Sequence, residues 1–292
     1  MPSQRDIRRR INASKNIRQI TRAMQFVAAS KLRRAQESTL AARPYSDLLD
    51  EIIADLASVL IGDEHPLLSR RAEGKRLIVL VTSDRGLAGA LNTNAIRFAS
   101  KEIVEHPGEL ELVSVGRKGR DAMRRARVPI IAHFAGFGDR PHIDDILPLA
   151  RLISDEYEAC TYNQVDVIFT RFVSTLVQRA DMVQLLPIKP TLTGEPGPSG
   201  NVSGGITGSQ FIFEPEPEVV LNELLPRYLG TRLYQTALES TASFFSSQMV
   251  AMKNATENAD ELIGDLTLSY NKARQASITS ELIEIASGAR AR

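Results

Sequence analysis

"RRRINASKNIRQITRAMQFVAASKLRRAQ", Arg8–Gln36, decides the architecture, because its apolar residues return at intervals of three and four. Ile7, Ile11, Ile17, Ile20, Met24, Val27, Ala28, Leu32 and Ala35 form a helical stripe with a period near 3.5. Ser3, with Asp6 three residues later, reads as a helix start, and Gly62 with Asp63 and Pro66 as a stop. At about 1.5 Å per residue, a helix from Ser3 to Ile61 is a rod of about 85 Å, longer than a globular domain requires. Pro44 is expected to kink it, since proline lacks the intrahelical donor and crowds the preceding turn.

The same period returns at the other end of the chain. Phe245, Met249, Met252, Ala255, Ala259, Leu262, Leu266, Tyr270, Ala273, Ser277 and Leu282 make a second stripe, within a helix expected from Glu218 to about Ser287. Pro226 belongs to its first turn or to a kink. Counted only from Pro226, this rod is about 90 Å long. An amphipathic helix of that length needs a partner to cover its stripe, and the simplest partner is the other end of the same chain. If both rods leave the middle block on one side, they run antiparallel.

Between them the pattern changes. "LIVLVTSD" (Leu77–Asp84), "LELVSVG" (Leu110–Gly116) and "VDVIFTRFV" (Val165–Val173) are continuous apolar runs suited to strands buried on both faces. They alternate with expected helices near Thr93–Glu105, Arg117–Ala126 and Ile143–Cys160, and "MVQLLPI" (Met182–Ile188) adds a further strand. The expected fold is α/β: a small Rossmann-like head plus a long antiparallel two-helix coiled coil. Domains are placed at 1–62, 63–217 and 218–292, with a loop at 187–217 that holds six prolines and six glycines.

Composition narrows the function classes. Lys and Arg number 36 against 35 Asp and Glu, yet the first 35 positions carry ten basic residues and one acid, Asp6. Charge is therefore segregated rather than in excess. No apolar run reaches the 18 residues of a membrane span, and the basic start, with no apolar stretch after it, reads as mature structure rather than a targeting peptide. The lone Cys160 rules out an intrachain disulfide and reads as a small buried residue.

Chemistry has no evident seat. "TSDRGLAGALNTN" (Thr82–Asn94) puts glycines after a strand and before a helix, but it lacks the dinucleotide fingerprint, and the P-loop pattern is absent from the chain. It reads as a structural or contact loop. His65, His106, His133 and His142 lack metal spacing, and Asp144 with Asp145, like Asp260 with Glu261, are solvated neighbours. No catalytic, cofactor or metal residue is assigned. Arg8, Lys15 and Arg22, seven apart, form a basic row near Arg5, Arg18 and Lys31. An acidic protein surface fits that row better than nucleic acid, which would want aromatic residues and a basic chain. A coiled-coil nucleic-acid-binding protein is kept as the alternative, and a nucleotide-dependent enzyme built on Arg76–Ile188 as a further one.

These stretches, together with "MVAMKNATENADELIGDLTLSYNKARQASITSELIEIASGA" (Met249–Ala289), closely resemble the gamma subunits of F-type ATP synthases over the whole chain. The resemblance implies a non-catalytic rotor shaft inside a ring of three alpha and three beta subunits, with its head on the membrane c-ring and beside epsilon. It implies that Met24 passes an acidic lever of beta, where Arg22 and Lys31 meet carboxylates. By the same resemblance, the loop with Asp84, Arg85 and Ala88 approaches that lever from the head, and Arg274, Gln275 and Thr279 lie where a beta loop grips the shaft. Arg8 joins this set as a contributor to the basic row. The implied address is the cytoplasmic face of a bacterial plasma membrane, as a peripheral subunit. Two stretches depart from the family: "SFFSSQ" (Ser243–Gln248) stands where Glu and Arg are usual, and Arg290 and Arg292 where small apolar residues end the chain. Ala88 replaces a frequent cysteine, and no thiol pair is inserted.

Overall fold

The computed structural model describes residues 4–59, 65–189 and 217–290. Ser3, Gly62, Asp63 and nearly all of the Pro/Gly-rich stretch expected at 187–217 lie outside the described residues. The order of elements is α1 (Gln4–Val59), β1 (Lys75–Val81), α2 (Leu91–Glu105), β2 (Leu110–Val115), α3 (Arg117–Arg125), β3 (Ile130–Phe134), α4 (Ile143–Glu158), β4 (Tyr162–Phe172), β5 (Gln178–Leu186) and α5 (Pro217–Arg290). The helix α1 runs through Pro44, and α5 already includes Pro226. Two compact units emerge: Met1–Ala29 with Gln248–Arg292, and Ser30–Ser247. Their limits fall inside α1 and α5, whereas the sequence-level boundaries at 62 and 218 follow helix ends.

The larger unit is built on a five-stranded sheet of order β3-β2-β1-β4-β5, parallel except for the β4–β5 hairpin. β1 is buried on both faces beyond its first residue, so its alternate side chains feed two separate cores. Leu77, Val79 and Val81 join Ile146, Leu149 and Ile153 of α4, Leu49 and Ile53 of α1, and Leu225, Leu229 and Leu233 of α5. Ile78 and Leu80 face the other way, to Ala99 of α2 and Met123 of α3. The layering follows from connection handedness, since β1–α2–β2 and β2–α3–β3 move one way along the sheet while β3–α4–β4 returns across it. β3 was not anticipated from the sequence. It is five residues long, half exposed, and follows Pro129.

A buried ion pair sits in this sheet: Arg76 Nε donates to Asp166 Oδ2 at 2.6 Å, and Gln164 donates to the same oxygen at 2.8 Å. Gly116 turns β2 into α3 with φ +86, and a Cβ there would lie 2.1 Å from the Thr82 carbonyl oxygen. Only glycine fits such a turn.

The smaller unit is an antiparallel pair of helices. Gln4 Nε2 donates to the Ala273 carbonyl, Arg18 Nη1 to Asp260 at 2.7 Å, and Thr21 shares a 2.8 Å hydrogen bond with Thr256. Each pair of residue numbers sums to 277 or 278, so the two helices run past each other without a slip. The seam corrects the stripe expected from the sequence. Ile17, Ile20 and Val27 are 54%, 59% and 54% exposed, and Leu262 and Leu282 also face outward. Ile7, Ile11, Met24 and Ala28 of the expected α1 stripe are buried or half-buried, but Ser14, Thr21 and Gln25 take the places given to the other three. They are met by Met252, Thr256, Ala259, Ile263, Leu266, Tyr270, Ala273 and Ser277 of α5, of which only Thr256 and Ile263 were not in the expected stripe. Both sets keep the alternating three-and-four spacing of a coiled coil.

Candidate functional site

The candidate contact residues divide between the two units. In the larger unit the residues singled out from the sequence converge on one loop. Asp84, just beyond β1, accepts hydrogen bonds from the backbone N–H of Arg117 at 2.9 Å and of Gly136 at 2.9 Å. The sequence fits this approach, because a Cβ on Gly136 would come 2.7 Å from Asp84 Oδ2. The 136–139 loop is thereby pinned to the end of β1. Its last residue, Asp139, takes Lys31 Nζ at 2.5 Å and lies 3.8 Å from Arg85 Nη1. Lys31 also stacks over the Phe245 ring, 5.4 Å from its centroid. Lys31 and Arg85 thus meet at Asp139, a residue that nothing in the local sequence singles out, and Asp84 joins them through Gly136 of the same loop.

Ala88 is buried, and its carbonyl accepts a hydrogen bond from Ser247 Oγ at 2.7 Å. Ser247 closes a row on α5. Ser243 Oγ donates to the Thr170 carbonyl at 2.9 Å, and Ser246 Oγ to the Thr175 carbonyl at 2.7 Å. The departure "SFFSSQ" therefore has a structural use: its hydroxyls tie α5 to carbonyls of β4 and of the loops after β1 and β4. Phe245, between these serines, is buried.

Further along the same unit, α1 and α5 meet through charge. Arg232 Nη2 lies 2.9 Å from Asp50 Oδ1, and Ser46 Oγ donates to Gln235 at 3.0 Å. Burial pushes the Asp50 carboxyl up, and the Arg232 guanidinium opposes that. Burial likewise pushes the Tyr228 hydroxyl up to about 12. Glu239 is raised too, by burial above all, although Arg171 and Arg43 pull it back. Its Oε2 is buried without a hydrogen bond among the described residues.

In the smaller unit, Arg8 and Arg22 are exposed and Met24 is half-buried beside the seam. Arg274, Gln275 and Thr279 are exposed on α5, where Thr279 donates back to the Gln275 carbonyl at 2.9 Å. They lie at the end of the paired region, because Gln4 already reaches Ala273. Beyond it α5 carries Ile278, Leu282, Ile283 and Ile285, all exposed. Arg18, noted in the sequence only as a neighbour of the basic row, crosses the seam to Asp260. No described helix is long and apolar enough to cross a membrane, and no described group of acids, histidines and cysteine is arranged to hold a metal ion.

Comparison with known proteins gives a consistent answer. A family model described as "ATP synthase" matches residues 3–291. The "ATP synthase gamma chain" of Dehalococcoides mccartyi (strain CBDB1) is 46% identical over 293 residues, covering 100% of this chain and 99% of that protein. The protein of the same name from Roseiflexus castenholzii is 46% identical over 296 residues, with the same coverage. Among solved structures, a chain from the OSCP/F1/c-ring part of the Euglena gracilis mitochondrial ATP synthase in rotational state 3 matches with a TM-score of 0.68 at 19% identity, covering 99% of this chain and 94% of that one. A chain from the central stalk and c-ring of the Tetrahymena thermophila enzyme matches with a TM-score of 0.61 at 22% identity, covering 81% and 99%. The two solved structures are likenesses of fold. The nucleic-acid-binding alternative finds no support in these comparisons.

Proposed function

This chain belongs to the ATP synthase gamma-chain family, and from that footing we propose that it is the central rotor shaft of an F1 sector. It turns inside a ring of three alpha and three beta subunits and joins the membrane c-ring, with epsilon at the head. It carries out no bond chemistry itself. Its place is the cytoplasmic face of a bacterial plasma membrane, held there by its partners.

The observation that carries this reading is the patterning of the two-helix unit. Ile17, Ile20 and Val27 on α1, and Leu262, Leu268, Ile278, Leu282, Ile283 and Ile285 on α5, stand in solvent while the seam between the helices holds Ser14, Thr21 and Thr256. Exposed apolar area on this scale marks an interaction surface, and a surrounding sleeve of subunits would cover it.

The mechanism follows from linkage. Three pockets of identical sequence hold different nucleotides only if something favours a different conformation in each, since a ligand with equal affinity for two states shifts neither. The two helices have unlike sequences, and their cations are one-sided, so each angle of the shaft favours one beta conformation over the others. Coupling is reciprocal: hydrolysis turns the shaft, and a driven shaft releases product. Arg8 and Arg22 contribute to the angular bias as exposed cations. Lys31 and Arg85 contribute through the loop that Asp139 anchors, with Asp84 and Ala88 beside them. Met24, Arg274, Gln275 and Thr279 supply contacts along the shaft. Each exposed ion pair is worth about 0.2–1 kcal/mol, so the bias is a sum of small terms.

The test is coexpression with candidate alpha and beta subunits, followed by ATPase and ATP-driven proton-pumping assays of the purified complex. A complex that forms and pumps with this chain, and loses coupling when Arg8, Arg22, Lys31 and Arg85 are all changed to Gln, supports the assignment of the shaft and its cations. Pumping unchanged by the fourfold replacement removes those residues from the mechanism, and failure to assemble removes the shaft reading.

A further inference from the structure

The sheet has a topological switch point. Chain direction leaves β1 toward β2 on one side, while β4 arrives on the other side after the return crossover. In open α/β sheets the crevice beyond the carboxyl ends of two such strands is where ligands bind. Here a cavity of about 260 Å³ lies there, reached by Val81 and Thr82 from β1 and its end and by Thr170 from β4. It lies wholly within the larger unit. The opposite wall is α5, which contributes Ser240, Thr241 and Phe244.

The lining fixes the chemistry of the occupant. Phe137 and Phe244 offer aromatic surface, and a small planar ring gains from stacking or edge contact with such side chains. Ser240 Oγ is buried with no hydrogen-bond partner among the described residues. A buried hydroxyl left unmatched costs free energy that a ligand would recover. Thr241 and Thr170 are buried hydroxyl residues on the same walls. At the mouth the charges are already balanced: Asp84 is held by two backbone N–H groups with Arg117 at 3.8 Å, and Asp139 by Lys31 and Arg85. A phosphate would bring negative charge against two carboxylates, and the loop after β1 lacks the glycine spacing that cradles a pyrophosphate. The volume is just below the range of about 300–1,000 Å³ usual for small-molecule clefts, which excludes a dinucleotide.

We propose that this crevice binds an uncharged planar heteroaromatic of nucleobase to nucleoside size, set between Phe137 and Phe244 with its polar edge on the hydroxyls of Ser240 and Thr241. Because the walls come from the sheet and from α5, the ligand touches both at once and stiffens their packing. Occupancy is therefore readable as stability as well as binding.

The experiment titrates the full-length chain with adenosine by calorimetry and by thermal shift, with adenosine 5′-monophosphate and inorganic phosphate as comparison probes. The expected result is saturable binding of one adenosine with a rise in melting temperature, weaker binding of the monophosphate, and none of phosphate. Thr241→Val should weaken adenosine by about tenfold through loss of one hydrogen bond. Ser240→Leu, which fills the crevice, should abolish it. Absence of saturable adenosine binding overturns the proposal, as does tighter binding of the monophosphate or of phosphate. Undiminished binding in Ser240→Leu overturns it too. Should Ser240→Leu not fold, Thr241→Val decides: an unchanged affinity there overturns the proposal. Binding is read on the chain alone, so the result is independent of whether the chain turns in a ring.

Discussion

The two compact units solve the burial problem in opposite ways. In the sheet-based unit the strands send apolar side chains to both faces, and the cation that goes inside the sheet is matched, Arg76 by Asp166. In the two-helix unit the seam carries Ser14, Thr21 and Thr256, while Ile17, Ile20 and Val27 face outward. One region is finished as a folded object. The other buries Ile7, Ala28, Met252 and Ala259 in its seam but leaves a second apolar surface outside, and burial of that surface must come from another molecule.

The hardest blow to this contrast should come from Asp166→Ala, which strands the buried Arg76 cation. We expect a loss of about 3–5 kcal/mol in urea unfolding of the sheet-based unit. A loss below 1 kcal/mol would show that the sheet interior is not the matched, dry core described. Next in size, Ser247→Ala leaves the Ala88 carbonyl without its α5 donor and should cost about 0.5–1.5 kcal/mol by the same assay. Joint replacement of Thr21 and Thr256 by Val should be nearly neutral or slightly stabilising, because both partners of one hydrogen bond are removed together. Changing Ile17, Ile20 and Val27 to Gln sharpens the contrast most directly. The free chain should melt within about 0.5 kcal/mol of the parent, as for other surface changes. Marked destabilisation of the free chain would mean that these residues support the coil itself.

The smallest effect concerns pH. The Glu239 carboxyl is raised above its ordinary 4.5, so the folded chain holds this proton more tightly than the unfolded chain does. Its contribution to stability is full at low pH and declines as pH rises from the ordinary value through the raised one. Glu239→Gln should flatten that decline above the ordinary carboxylate range, seen as a smaller spread of melting temperatures, with little change at the acid end.

The α/β alternation and the pairing of the chain's two ends were legible because long runs of one period dominate local sequence. The seam was misread in part, for a physical reason. Ile17, Ile20 and Val27 were taken as buried for their hydropathy, yet the polar Ser14 and Thr21 take the seam. They stand in a seven-residue series with Ala28 and Ala35, which the stripe did include, and all four are small enough for two helices to approach closely. The spacing of small residues held the signal, and hydropathy concealed it. β3 escaped notice because a five-residue strand at the sheet edge, open on one face, lacks the continuous apolar run of its neighbours. Asp139 was out of reach for another reason. Its partner Lys31 is 108 residues away, and only the tertiary fold brings them together.

One consequence follows from the unequal ends of the helical pair. Past Ser277, α5 continues to Arg290 with no α1 residue beside it among those described. A single helix resists torsion less than two laid side by side, so strain applied along this unit would collect in the bare tip. Among the described residues, the doubled stretch is then the part of this unit that carries load with the least twist.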